Sequence, residues 1–284
     1  MFQASRSRLA HFAAALAGAA ILLHSSAATE ATAASRVWPS QVIATYKIAF
    51  NGFDIGRFRF DARVDQRAYV LTGNAEISAF LGVFKWRGVT RSEGLLAGNR
   101  AAPSSYAFDY QSNARTGNVR MGFRQGDVAM VSADPPLPTA PDEVPLERVH
   151  LSGVLDPLSA VMMLTRPSTG APCAQRLKVF DGKQRFDLAL TERGERRLAA
   201  RRSQEETLTV CGVRYRPVAG FRRGGETDAL ARSEGIEIAF RRIAEADLFV
   251  PQAISVPTGV GAAVLTLERL EARTANNDQV AFVE

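Results

Sequence analysis

Residues 42–65 read VIATYKIAFNGFDIGRFRFDARVD, and this stretch decides the fold class. Ahead of Asn51-Gly52, Val42, Ala44, Tyr46, Ile48 and Phe50 recur at every second position; behind it Phe58, Phe60, Ala62 and Val64 alternate with Arg57, Arg59, Asp61, Arg63 and Asp65. Successive side chains of a strand point to opposite faces, so a period of two sends the apolar set to a core and the charged set to water. Asn-Gly is the strongest short hairpin signal, because both central residues of a type I′ turn need positive φ. The stretch therefore predicts an antiparallel hairpin with one buried face.

Working outward, the same pattern continues. Tyr69 to Ile77, Trp86 to Leu95, Ser104 to Gln111, Val119 to Arg124 and Val128 to Ala133 read as strands, with Gly98-Asn99 and Gly126-Asp127 among the turns. Beyond them, Arg176 to Phe180, Gln184 to Thr191, Thr207 to Val218, Ile236 to Arg242, Leu248 to Pro257 and Ala262 to Arg273 resume it, and Asp181-Gly182 names a second hairpin. Ala229 to Glu234 reads as a helical turn. Residues 133–145 hold five of the 13 prolines and predict an extended strap, which either separates two halves or, the preferred reading, crosses a rim of one domain. The single well-marked helix starts at Asp156-Pro157: Asp156 is a cap, Pro157 suits the first turn, and Leu158, Val161, Met162 and Leu164 form an apolar stripe ending near Thr165. A long meander curls because strands twist. The expectation is a mainly β domain over residues 42–273, a curved half-barrel or β-spiral with one short helix on its concave side.

At the start of the chain, Arg6 and Arg8 precede an apolar run, Phe12 to Leu23, and then Ser26-Ala27-Ala28. Positive, apolar and small in that order is the pattern of a secretory signal peptide. The run has 12 residues, against about 20 for a bilayer-spanning helix, so no transmembrane anchor is expected. Cleavage is expected after Ala28, with Ala33 as the alternative, which puts the mature chain in the periplasm. Residues 29–41 and 274–284 read as flexible ends.

The hydrophobic fraction of 46% is that of a globular chain. Net charge falls from +6 to +4 once Arg6 and Arg8 are set aside, and the basic residues are scattered or sit in short pairs such as Arg222-Arg223. Solvated strand faces or loops are the expected reading and attraction to anionic envelope lipid or polymer the alternative, and nucleic acid is not an expected partner. Cys173 and Cys211 are the two cysteines. In an exported chain they are expected to be bridged, closing a loop of about 39 residues at a gain of at most roughly 4 kcal/mol. The alternative, a redox-active pair, would favour Cys-x-x-Cys spacing.

Catalytic patterns are scarce. His11 and His24 lie in the leader, leaving His150 as the only other imidazole, so a multi-histidine zinc site is not expected and neither is any other cofactor. No Gly-x-Ser-x-Gly elbow surrounds it. Asp54, Asp61, Glu76, Glu93 and Asp109 occur singly on strands; two of them across a cleft would make a hydrolase or transferase of envelope polymers, the alternative reading. The best binding feature is Phe80-Leu81-Gly82-Val83-Phe84-Lys85-Trp86, which breaks the alternation. As ordinary core it needs no function; as the lip of an apolar groove it suits acyl chains. Phe80, Phe84 and Trp86, with Leu158 and Met162 of the helix, are the groove candidates, and Trp38 is placed to cover the same region.

Four stretches together carry a resemblance: Ala44-Thr45-Tyr46 through Phe50-Asn51-Gly52-Phe53-Asp54-Ile55-Gly56; Lys85-Trp86-Arg87-Gly88; Gly153-Val154-Leu155-Asp156-Pro157-Leu158-Ser159-Ala160; and Phe180-Asp181-Gly182-Lys183-Gln184-Arg185-Phe186-Asp187-Leu188. They resemble domain-of-unknown-function family 3108 of exported Gram-negative proteins over roughly residues 42–273, and no catalytic residue carries over. At fold level the organisation also resembles the periplasmic envelope integrity protein B group and the half-barrels of periplasmic lipoprotein carriers. That resemblance implies a β-spiral, a helix on the concave side, one disulfide and a role in maintaining the envelope. The resulting expectation is a non-enzymatic periplasmic protein that holds lipid, peptidoglycan or a periplasmic protein through an apolar groove.

Overall fold

In the computed structural model, which describes residues 38–79, 82–167, 170–198, 206–274 and 278–283, the Asn51-Gly52 turn is formed as its residues require. Both take positive φ, 50° and 84°, and join β1 (Gln41–Phe50) to β2 (Phe53–Asp65) with Tyr46 opposite Phe58 and Ala44 opposite Phe60. The meander continues through β3 (Ala68–Ala79), β4 (Phe84–Ala97), β5 (Arg100–Ser112), β6 (Thr116–Arg124) and β7 (Asp127–Asp134). A second meander comprises β8 (Arg176–Phe180), β9 (Arg185–Leu198), β10 (Glu206–Ala219), β11 (Glu237–Ile243), β12 (Leu248–Thr258) and β13 (Gly261–Arg273). The first strand pairs antiparallel with the thirteenth, Lys47 opposite Thr266, and so fuses both meanders into one 14-stranded sheet.

The sheet is open: its edges are β7 and β8. The segment between them touches both, since Gly153 N donates to Gly126 O beside β7, and Leu155 exchanges backbone bonds of 2.8 and 2.9 Å with Lys178 and Phe180 of β8. Gly182, in the β8–β9 turn, lies so close to Val119 of β6 that an added Cβ would clash at 2.4 Å. The sheet thus curls until its two ends converge.

The interior holds α1 (Pro157–Thr165), which contacts β3, β4, β5, β8 and β12. Its start follows the local chemistry. Asp156 accepts from Leu158 N and Ser159 N at 3.0 Å, and Pro157 occupies the first turn, where its missing N–H costs nothing. Leu158, Met162, Met163 and Leu164 are buried, and full burial of such a side chain is worth about 1.5–3 kcal/mol. Cys173, in the turn before β8, is bonded to Cys211 of β10, with Cα atoms 5.2 Å apart.

Three stretches differ from their sequence reading. The helical turn expected at Ala229–Glu234 is α2 (Glu226–Arg232), shifted towards the N-terminus. The C-terminal residues read as a flexible tail form β14 (Gln279–Val283), paired with β13, where Phe282 stands 3.8 Å from the Arg241 guanidinium. Trp38 and Pro39, inside the expected floppy start, are buried. Residues 1–37, which hold the expected leader and most of the expected flexible start, lie outside the described residues. After β7 the proline strap reaches the loop behind β10, where Val144 exchanges two backbone bonds of 2.8 Å with Gly220 and Phe221. Among the described residues no helix is long and apolar enough to cross a membrane.

Candidate ligand cavity

The inward residues of the first hairpin alternate in size. Ala62 lies opposite Val42, and Ala44 opposite Phe60, so each pair is one small and one larger side chain. These side chains, with α1 across from them, line a cavity of about 160 Å³. Its walls are Val42, Ala44, Tyr46, Phe58, Phe60, Ala62 and Val64 on the hairpin, Val161, Met162 and Thr165 on α1, and Leu248, Val250, Pro251, Ile254 and Leu265 opposite. Trp38 and Pro39 complete the wall ahead of β1. No charged side chain lines it. An apolar cavity of roughly 150 Å³ stays dry and accepts a benzene-sized guest.

The helix that forms one wall is held by a buried polar chain. Ser159 Oγ and Ser92 Oγ both donate to Asp156 Oδ2, at 2.5 and 2.8 Å, and Tyr69 Oη lies 2.9 Å from Ser159 Oγ. Burial raises the Tyr69 hydroxyl, so it stays protonated and donates to Ser159. Asp156 has no solvent exposure, and desolvation lifts its carboxyl above the ordinary range despite the donors converging on it. The network fixes α1 against β3 and β4 rather than facing the cavity. At the other end of α1, Arg166 stacks 5.0 Å above the Trp38 ring and pairs with Asp247 at 3.3 Å.

A second, larger space of about 770 Å³ lies where Lys47, Arg57, Glu76, Arg87 and Gln111 fall in one register row. By alternation this row faces away from Phe58 and Phe60. The charges of this row are matched, Lys47 with Asp54 at 3.5 Å, Arg87 with Glu76 at 2.8 Å and Arg57 with Glu268 at 3.0 Å, while Lys85, also in the lining, makes no ion pair among the described residues.

The four groove candidates among the described residues lie in different places. Phe80 lies outside the described residues. Phe84 is 43% exposed at the tip of the β3–β4 hairpin. Trp86 is half-buried against Phe108, with ring centroids 6.3 Å apart, at the margin of the charged cleft. Leu158 and Met162 are buried, and of the four described candidates Met162 alone lines the apolar cavity. Sequence reasoning missed Ala44, Tyr46 and Phe58 as its walls; alternation marked them as inward, but nothing local marks where a void opens. Trp38, proposed as a cover for the Phe80–Trp86 stretch, walls the inner cavity instead. His150 sits in a 3-10 turn, its Nδ1 accepting from Glu147 N at 3.1 Å, and no cluster of metal-ligating side chains occurs among the described residues.

A family model described as "Protein of unknown function (DUF3108)" matches residues 45–268. Among solved structures, the chain is similar to a beta-barrel-like protein of domain of unknown function DUF1849 from Brucella abortus. That match has 9% identity and a TM-score of 0.47, covering 83% of this chain and 99% of that one. No curated protein matches.

Proposed function

The chain belongs to the DUF3108 family, whose description names no activity, and we propose that it is a non-enzymatic periplasmic protein of envelope homeostasis, holding the apolar portion of a lipid-like ligand between α1 and the curled sheet. The observation that carries the reading is the cavity itself: apolar side chains from two parts of the sheet, a helix and the segment ahead of β1 surround about 160 Å³ with no charge in the wall. Well-packed interiors leave few voids larger than a water molecule, so a void of this size has a cost that an occupant would remove. The disulfide and the leader-like start of the chain support an oxidising, extracytoplasmic setting. The size sets the scale of the guest. A benzene-sized group or the end of an alkyl chain fits, whereas drug-sized ligands need about 300 Å³ or more.

The test is mass spectrometry of organic extracts from the protein purified out of its native periplasm, together with binding of a small apolar probe. A co-purifying amphiphile and probe uptake are expected. Ala44→Leu fills the cavity and is expected to weaken the probe at least about tenfold while holding or raising the thermal midpoint, as cavity filling does. An empty extract with no probe uptake, or full probe binding by a folded Ala44→Leu, would sink the proposal.

A further inference from the structure

The three most exposed large apolar side chains among the described residues stand at one end of the sheet. Val260 is 79% exposed, Phe53 76% and Val83 75%, in or beside the turns β12–β13, β1–β2 and β3–β4. Antiparallel pairing along the first meander puts the turns β1–β2, β3–β4 and β5–β6 at the same end, and the pairing of β1 with β13 brings the β12–β13 turn there too. Side chains tie these turns together. Asn51 Nδ2 donates to Val260 O at 3.1 Å, and Asn113 of the β5–β6 turn donates to Val83 O at 2.8 Å while accepting from Lys85 N at 2.9 Å. At the opposite end the turns Gln66-Arg67, Gly98-Asn99, Gln125-Gly126 and Ala244-Glu245-Ala246-Asp247 carry no large apolar residue. One exposed apolar side chain is ordinary, but folding alone does not require three of them on linked tips at one end and none on the turns at the other.

The charges beside these tips leave one sign over. Asp54 pairs with Lys47, Glu76 with Arg87 and Glu268 with Arg57. Lys85, two residues from Val83, and Arg115, in the β5–β6 turn, make no ion pair among the described residues. We propose that this end of the sheet is a membrane-docking edge: Phe53, Val83 and Val260 enter the interfacial layer of an anionic phospholipid bilayer, and Lys85 and Arg115 meet its phosphates. Apolar burial and attraction to anionic lipid add in such binding, and long cationic side chains keep their heads at the level of the phosphates. The apolar contacts are single side chains on separate tips, whereas a protein partner calls for a continuous patch; a fluid bilayer closes around each tip by itself. The edge is separate from the inner cavity, so either reading can fail without the other.

The test is co-sedimentation of the protein, purified from the periplasm, with vesicles of phosphatidylcholine alone and of an equal mixture with phosphatidylglycerol. Binding to the mixed vesicles is expected, with weaker binding to phosphatidylcholine. Phe53→Ser and Val83→Ser are each expected to weaken partition about tenfold, since each removes an apolar side chain that would leave water, with the thermal midpoint unchanged. Lys85→Glu is expected to reduce the preference for the anionic vesicles. Val149 is 71% exposed but lies in the short turn next to Ser152, which bonds Asp127 beside the β6–β7 turn at the opposite end. Val149→Ser is therefore the control, expected to leave partition within about twofold. No sedimentation with either vesicle, or equal weakening by Val149→Ser and the tip variants, overturns the proposal. Binding that the tip variants leave intact and Lys85→Glu abolishes is adsorption by charge alone, and overturns the insertion. Absence of vesicle binding together with chemical crosslinking of Lys85 to a second protein would assign the edge to a protein partner instead.

Discussion

The two spaces of this protein lie on opposite faces of the same strands. The first hairpin gives Lys47 and Arg57 to the outer cleft and Tyr46 and Phe58 to the inner cavity. The outer one is nearly five times larger, about 770 against 160 Å³. Yet most of its charges are paired with one another, Lys85 excepted, and exposed pairs of that kind are worth about 0–1 kcal/mol each. The inner space is small and its wall carries no charged side chain. Volume follows the curl of the sheet, whereas an uncharged, apolar wall is what suits an apolar guest. The contrast also predicts where rigidity is needed: a cavity that waits for a ligand must be held open by its frame, and a solvated cleft need not be.

The largest expected effect comes from that frame. Cys173 follows α1 and is tied to β10, far in sequence from the strands of the outer cleft. Cys173→Ser releases a closed loop worth roughly 4 kcal/mol by chain entropy, so the thermal midpoint of the oxidised protein is expected to fall by about 10 °C. Hydrogen exchange should quicken in α1 and β8 to β10 and stay slow in β2 to β4. Equal midpoints for variant and wild type would remove the staple from the account. Uniform acceleration would remove the distinction between the two regions.

Next in size is the buried polar chain under α1. Asp156→Ala strips the helix cap and leaves Ser92 and Ser159 without their acceptor, an expected loss of about 2–4 kcal/mol in chemical denaturation. Asp156→Asn isolates the charge. Because burial holds the folded carboxyl above its unfolded value, the folded state binds the extra proton, and its contribution is greatest below the unfolded value near 4 and is lost as pH rises through the raised one. The midpoint of wild type relative to Asp156→Asn should therefore decline as pH climbs from about 4 towards neutrality. Asp181 is raised for the same reason but is present in both proteins and cancels. A difference independent of pH would show that the donors around Asp156, not its burial, set its charge.

What could be read from the chain follows the range of the interaction. Asn51-Gly52 and Asp156-Pro157 act within a few residues, so the first hairpin and the helix were legible with nearly correct ends. The β1–β13 pairing was not: Asn51 Oδ1 accepts from Ala262 N across 211 residues, and no local pattern says which strand closes on the first. The final strand was missed because its pattern, Val280 and Phe282, is two residues long and gains meaning only against β13. Ser92 looked like any strand serine, yet it is fully buried because Asp156 arrives 64 residues later. The cavity belongs to the same class. Ala44 and Ala62 were visibly inward, but whether their small size is filled or left open depends on how deep α1 sits.

The smallest expected effect tests the outer region directly. Trp86 stands at the margin of the charged cleft and packs on Phe108 and over Gly88, on strands that contribute nothing to the inner wall. Half-buried, it should cost about 1 kcal/mol on truncation, well below the roughly 3–5 kcal/mol of a fully buried aromatic. Trp86→Ala is therefore expected to lower the midpoint by about 2–4 °C and to leave inner-cavity probe affinity within about twofold. If Trp86→Ala instead weakens the probe as strongly as Ala44→Leu, the ligand rests on the outer aromatic lip, and the division between a solvated outer cleft and an apolar inner cavity fails.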